Sequence, residues 1–429
     1  MVTARIYLWG MLAGAVLWNE SKEYAVFEFD KKFVSKGLDI APIIMPLNEL
    51  QRGNLIYSFP LLPKETYKGL PGLLADSLPD KFGNKLIDAW LARQGRGSGS
   101  FNSVERLLYT GRRGMGALEF EPATSESAST ENIEVAELVK LAKEVLQDRK
   151  QFRTDIKENT EGLAKILSVG TSAGGARAKA IIAYNAKTGE IRSGQVKNPD
   201  EYSYWIIKFD GVTNEQLGDP KGYGRIEYAY NKMASDSGIE MPEFRLINEH
   251  NRAHFMTKRF DRGPGCKKLH VQTLCALAHF DYNDAGVYSY EQVFQVMRKL
   301  RFPYNDAEQM FKRLVFNVVA RNNDDHTKNT SFIMDDNGIW RLAPAYDMTY
   351  AYNPENYWIR NHQLSVNGKL DGIGKKDLLA LAKEMNIKKP NVIIEAIIEV
   401  ISRWPDYAKN SGIPNKQSAA IGKTHLLKL

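Results

Sequence analysis

The chain has 429 residues, 43% of them hydrophobic and 25% charged, with a formal net charge of +7. That length suits two or three packed units rather than one core, and no apolar run approaches the ~20 residues of a membrane-spanning helix. The basic balance permits an anionic partner such as a nucleotide or nucleic acid, and Cys266 and Cys275 lack metal-site spacing, which fits free thiols in a reducing compartment.

The N-terminal stretch "MVTARIYLWGMLAGAVLWNE" reads as strand and turn, because it lacks a strong basic region ahead of its short apolar patch. "YAVFEFD" (24–30) alternates as a strand does, and 72–94 carries helical spacing interrupted at Pro79. "GRGSGSFNS" (95–103) reads as a flexible segment. The Ser/Thr-rich, acidic run 121–134 reads as a linker, with Asn132 placed to cap a helix over 134–147.

From about 162 the texture changes to glycine and strands, through "EYSYWIIKFDG", followed by a helix over 225–238 ended by Gly238. "FRLINEH" and "AHFMTKRFD" are strand-like, and beyond 265 the chain reads as mostly helical, "LHVQTLCALAHF" (269–280) included. This order predicts an α+β protein of two lobes with a ligand cleft between them.

Three constellations carry chemistry. In "VGTSAGGARAK" (169–179), Gly170, Gly174 and Gly175 would let backbone N–H groups approach a polyphosphate, with Arg177 and Lys179 following. It is not a Walker motif, and a tight strand–strand turn is the alternative. Lys208 stands among Trp205, Ile206, Ile207 and Phe209, where it either snorkels to solvent or meets a fixed anion. The helix that follows offers Glu227, on the side shared with Tyr230 and Ala234, as its partner.

The third is "ARNNDDHTKNTSFIMDDNGIWRLAPAYDM" (320–348). A helix burying Met310, Phe311, Leu314, Val315, Val318 and Val319 ends at a polar loop. A hairpin turning at Asp335–Gly338 follows, and then Asp347. Asp324 and Asn329 have the D-x-x-x-x-N spacing of a protein-kinase catalytic loop. There the aspartate receives the proton of an attacking hydroxyl, and the asparagine with a later aspartate holds Mg²⁺. A calcium loop lacks its terminal glutamate here, and a solvated acidic loop is the plainer alternative. Asp325 has no assigned role, and His326 reads as a loop brace rather than a proton carrier. Lys328 either neutralises a transferring phosphoryl group or balances the local acids. His250, His254, His270, His279 and His362 show no metal spacing.

"SAGGARAK" (172–179), "WIIKFD" (205–210), "KRFDR" (258–262), "NNDDHTKN" (322–329) and "PAYDM" (344–348) together resemble the HipA family of bacterial toxin kinases. The resemblance implies an N-terminal subdomain over 1–120, a kinase N-lobe over 121–262 and a helical C-lobe over 263–429. It implies Asp324 as catalytic base, His326 and Lys328 in the catalytic loop, and Asn329 and Asp347 as Mg²⁺ ligands. Gly174, Gly175, Ala176, Lys179, Lys208 and Glu227 would serve ATP, with Lys258, Arg259 and Phe260 at the adenine-side hinge. Ser172 matches the loop serine that the family autophosphorylates, although Arg177 replaces the usual glutamine of that loop.

Family resemblance further implies a cytoplasmic Ser/Thr kinase using ATP and Mg²⁺, whose protein substrate is a translation component such as an aminoacyl-tRNA synthetase. Its partner would be a HipB-like helix-turn-helix antitoxin, with operator DNA engaged through that antitoxin and no membrane. The competing readings are a catalytically weak co-repressor and a kinase of small molecules or lipid headgroups.

Overall fold

The computed structural model describes residues 2–124, 132–147, 177–212 and 222–429. Three antiparallel sheets organise these segments. The first holds β1 (Thr3–Leu8), β2 (Met11–Asn19), β3 (Tyr24–Phe29), β4 (Ile56–Tyr57) and β5 (Leu118–Glu121), in the order β4-β3-β2-β1-β5. The alternation in β1 turns Ala4, Ile6 and Leu8 inward, as a sheet with one covered face requires.

The second sheet holds β6 (Lys179–Asn185), β7 (Ile191–Ser193), β8 (Tyr202–Lys208), β9 (Phe244–Glu249) and β10 (Arg252–Lys258), in the order β7-β6-β8-β10-β9. The third, β11 (His270–Thr273), β12 (Ser331–Met334) and β13 (Trp340–Leu342), lies within a mainly helical lobe. There the helix Tyr304–Ala320 buries Met310, Phe311, Leu314, Val315, Val318 and Val319, as its spacing predicts.

Among the described residues two large apolar cores result, beside a small cluster of Ala183, Tyr202 and Tyr204, and they do not follow chain order. One joins the first sheet to the helical lobe, with Leu73 and Leu74 packed in the same cluster as Leu274 and Leu277. The other places Phe82, Leu86, Ile87 and Leu91, from the helix Lys81–Arg93, against Ala180, Ile182, Trp205 and Ile207 of the second sheet. The chain therefore passes from one core to the other between Ala75 and Lys81.

Three local expectations are corrected. The "LHVQTLCALAHF" run is not wholly helical: His270–Thr273 pairs with β12, because His270 and Gln272 alternate inward, and the helix begins only at Leu274. The glycine–serine stretch 95–103 is ordered by a short turn at Ser98–Ser100. Asn102 and Glu105 then form a reciprocal capping box for the helix Ser103–Thr110. Asn132 does not cap the helix Val135–Gln147; it bridges to Arg192, whose Nε donates to Asn132 Oδ1 at 3.0 Å.

Candidate active site

Strands β6 and β8 pair in a register that sets Lys179 opposite Lys208. Each ammonium has an acid. Lys208 Nζ lies 2.5 Å from Glu227 Oε1 and also donates to Asp347 Oδ1, while Lys179 Nζ lies 3.4 Å from Asp80 Oδ2. Burial works against the charge on Lys208, but Asp347 and Glu227 overcome it and hold the ammonium above its ordinary pKa. Burial likewise opposes ionisation of Asp347, and Lys208 and Lys179 hold its carboxyl below the usual range.

Glu227 is delivered by the helix Tyr223–Asp236, whose start is fixed to the end of β8 by Asp210. The Asp210 carboxylate accepts from Gly222 N and Tyr223 N, both at 3.2 Å. Arg177 adds a second cation, 3.8 Å from Glu227 Oε2, with its guanidinium 3.8 Å above the Tyr223 ring.

The catalytic-loop candidate begins where the helix Tyr304–Ala320 ends at Arg321, in the left-handed region with φ 58°. Its two adjacent aspartates have opposite surroundings. The Asp324 side chain is 47% exposed and faces His326 Nε2 at 3.8 Å. Asp325 is buried and takes three hydrogen bonds: Gln363 N at 2.7 Å on Oδ1, with Tyr290 OH at 2.8 Å and His362 Nδ1 at 2.9 Å on Oδ2. Asp325 thus has a position, as the carboxylate that ties the loop to the helix Tyr290–Lys299 and to residues 362–363. Burial, with the Asp325 charge adding to it, pushes the Tyr290 phenol well above its ordinary pKa, so it serves as a donor.

The remaining loop ties are regular. Thr327 Oγ1 donates to Phe280 O at 2.7 Å, and Tyr346 OH donates to Lys328 O at 2.6 Å. Lys328 Nζ stands 4.5 Å over the Tyr282 ring, and His326 packs against that ring at 5.5 Å. Asn329 Nδ2 donates to Asp324 O at 2.6 Å, which commits the amide nitrogen and turns the carbonyl oxygen to other partners. Asp347 adopts φ 53°, a left-handed conformation that aspartate tolerates better than bulkier residues do. Asn329 and Asp347 line one cavity together with Asn322 and Tyr346.

Asn329 and Asp347 supply one amide and one carboxylate oxygen donor. Mg²⁺ takes such a sparse, hard set when substrate phosphates and water complete its octahedron. The residues present fit that ion.

The hinge residues separate. Lys258 is partly exposed and its Nζ lies 3.4 Å from Glu243 Oε2, while Phe260 faces the Tyr346 ring at 5.9 Å. Arg259 turns away from the lysine cluster. Its guanidinium is buried on Asp261 and Gly114 O, so only its backbone, which donates to Tyr204 O at 2.8 Å, belongs to the connection between lobes. Asp261 also accepts from Gly116 N at 2.7 Å, which docks residues 114–116 onto this corner. Ser172, Gly174, Gly175 and Ala176 lie outside the described residues.

Sequence reasoning missed Asp76, Asp80, Tyr290 and the role of His362. Asp80 after Pro79 carries the signal of a helix cap, which it is, since Oδ1 accepts from Gly83 N at 2.6 Å. Nothing in the sequence signals its second partner, Lys179.

A strand lysine bridging a helix glutamate and a metal-type aspartate, over an Asp…Asn loop, defines a kinase-like protein. The HipA-like C-terminal domain model matches residues 171–406 and the HipA N-terminal domain model matches 4–121; the chain belongs to the HipA family. The solved structure of Shewanella oneidensis HipA with HipB and operator DNA has the same fold. Its TM-score is 0.66 at 17% identity, covering 98% of this chain and 94% of that one.

In sequence, the chain is similar to the serine/threonine-protein kinase toxin HipA of Shewanella oneidensis, 22% identical over 81% of this chain and 75% of that protein. It is also similar to provisionally named kinases of Haemophilus influenzae and Sinorhizobium fredii. The first is 28% identical over 28% of this chain and the second 25% over 51%; the matches span only 39% and 55% of those relatives. Among the described residues no helix is long and apolar enough to cross a membrane.

Proposed function

We propose that the chain is an ATP- and Mg²⁺-dependent serine/threonine protein kinase, the growth-inhibiting toxin of a HipBA-like module in the cytoplasm. The observation that carries this reading is Lys208 held between Glu227 and Asp347, on strand β8 beside Lys179. An ammonium fixed between two acids is placed to exchange one of them for phosphate oxygens when nucleotide enters.

Asn329 and Asp347 would hold Mg²⁺, which supplies charge neutralisation on the phosphates. Lys208 and Lys179 orient the phosphate chain, and Glu227 keeps Lys208 in place. Asp324, exposed at the loop surface, accepts the proton of the acceptor hydroxyl as the hydroxyl oxygen attacks the γ-phosphorus of ATP and the bond to the β–γ bridging oxygen breaks, with ADP leaving. Lys328, with no acid bonded to its ammonium among the described contacts, stands near the transferring group. The hinge backbone of Lys258–Phe260 borders the adenine side, Gly174, Gly175 and Ala176 serve the phosphates, and phosphorylation of Ser172 silences the enzyme.

The acceptor is a protein of the translation apparatus such as an aminoacyl-tRNA synthetase. The partner is a small helix-turn-helix antitoxin of the HipB kind, through which operator DNA is engaged; the Shewanella complex supports this assignment. The test is labelled-ATP turnover with phosphopeptide mapping for the wild type and for Asp324→Ala and Asp347→Ala. Transfer that falls ~10²–10⁴-fold in both variants supports the reading, and wild-type transfer in both refutes it.

A further inference from the structure

The segment between the helices Gly72–Ala75 and Lys81–Arg93 crosses from one core to the other. It carries two carboxylates four residues apart, Asp76 partly buried and Asp80 with its side chain only 6% exposed, and they reach opposite lobes. Asp76 accepts from Thr273 N at 2.6 Å and from Thr273 Oγ1 at 2.9 Å in the helical lobe. Thr273 is in register with Ser331, whose hydroxyl bonds Tyr346 OH at 2.5 Å, and Leu274 N donates to Thr330 O at 2.8 Å. Asp76 thereby braces the backbone that immediately follows Asn329. Asp80 reaches the other way, to Lys179 Nζ at 3.4 Å, with both side chains 6% exposed.

From this geometry we infer that Asp76–Asp80 is a strut between the lobes, and that Asp80 is a positioning residue for the nucleotide through Lys179. The inference rests on the kinase reading only in what Lys179 positions. The strut itself follows from the hydrogen bonds of Asp76 to Thr273 and the ion pair of Asp80 with Lys179. Two features argue that the crossing is built rather than incidental. Gly72, just ahead of it, sits so close to the helix Leu274–Ala278 that an added Cβ would meet Ala276 O at 2.2 Å, and Gly72 N donates to His279 Nε2 at 3.0 Å. The other is Pro79: a backbone fixed by proline is stiff where the segment turns into the upper core.

A carboxylate that only capped the helix would be replaceable by asparagine, since Asn caps as well as Asp. Asp80→Asn therefore keeps the cap and removes the charge from Lys179. In the nucleotide-free chain, hydrogen exchange of Asp80→Asn should accelerate in β6, with β1–β3 and the helix Pro390–Ser402 unchanged. Asp76→Ala should accelerate exchange at Thr273–Ala276 and in β12 instead. Unchanged exchange in β6, or equal acceleration throughout the chain, overturns the strut.

The affinity for ATP–Mg²⁺ should fall about tenfold in Asp80→Asn and fall no further when Asp80→Asn is added to Lys179→Met. Additive losses would overturn the positioning role. A wild-type chain that binds no ATP would refute both the kinase reading and the nucleotide-positioning role, while the exchange experiment would still decide the strut.

Discussion

Lys179 and Lys208 are direct cross-strand partners on β6 and β8, so two ammonium groups share one face of the upper sheet. Like charges placed opposite each other destabilise a sheet unless anions are supplied. Here the anions come from three distant parts of the chain: Asp80, Glu227 and Asp347. The arrangement gathers positive charge where phosphates would enter, and its cost is offset locally by carboxylates.

Removing Lys208 should therefore cost stability as well as nucleotide binding. Glu227 is 2% exposed at its side chain and, among the described residues, would be left with Arg177 at 3.8 Å as its cation. Lys208→Met is expected to lower the unfolding free energy by about 3 kcal/mol, read from the urea midpoint at constant slope. Adding Glu227→Gln should recover part of the loss, because the orphaned carboxylate is then neutral. No recovery would show that Lys208 stabilises by packing alone.

The two adjacent aspartates should respond in opposite ways. Asp324→Ala is expected to cut phosphoryl transfer ~10²–10⁴-fold while leaving the melting temperature within about a degree of wild type, since its carboxylate is half exposed. Asp325→Ala strands three buried donors and should lower stability by about 3 kcal/mol. Calorimetry beside a transfer assay separates them; a fully stable Asp325→Ala would refute its bracing role.

Metal removal should stop transfer reversibly. Chelation by EDTA is expected to abolish phosphorylation by the wild type and added Mg²⁺ to restore it, whereas Asp347→Asn should stay inactive at every Mg²⁺ concentration. Wild-type rates in that variant would place the cation on other ligands.

Acid should lower the stability of the fold through three buried histidines. Burial pushes His270, His279 and His425 down to about 4, and His279 Nε2 must be unprotonated to accept from Gly72 N. Below the unfolded histidine pKa of ~6.5 the unfolded chain takes up protons that the folded chain refuses. Stability therefore falls as pH drops from about 6.5 to about 4, and the histidine contribution levels off below that. The melting temperature against pH checks this. His279→Gln, whose amide oxygen can still accept from Gly72, should show a shallower slope, and an unchanged slope would exclude His279 as a contributor.

Much of the upper lobe was legible in the sequence because strand and helix spacing are local properties. Lys208 in an apolar strand, Glu227 on the helix that follows and the Asp324…Asn329 spacing each announce themselves within a few residues. The place of the Arg259 side chain was not legible, for the complementary reason. Its neighbours in the chain are hinge residues, but its guanidinium reaches Asp261 and Gly114 O in a buried corner that no local pattern describes.

The chain by itself determined which groups are available: lysines, acids and an asparagine in an order that resembles a kinase, with an N-terminal unit ahead of them. Only the tertiary structure decided their pairing. Asp324 is half exposed to solvent, while its neighbour Asp325 is buried on Tyr290, His362 and Gln363 N. Asp76 and Asp80 look like ordinary turn and cap residues until folding brings Thr273 and Lys179 to them. The reason is physical. Secondary structure follows from spacing within a few residues, whereas a buried charge is stable only beside a partner that the chain delivers from far away.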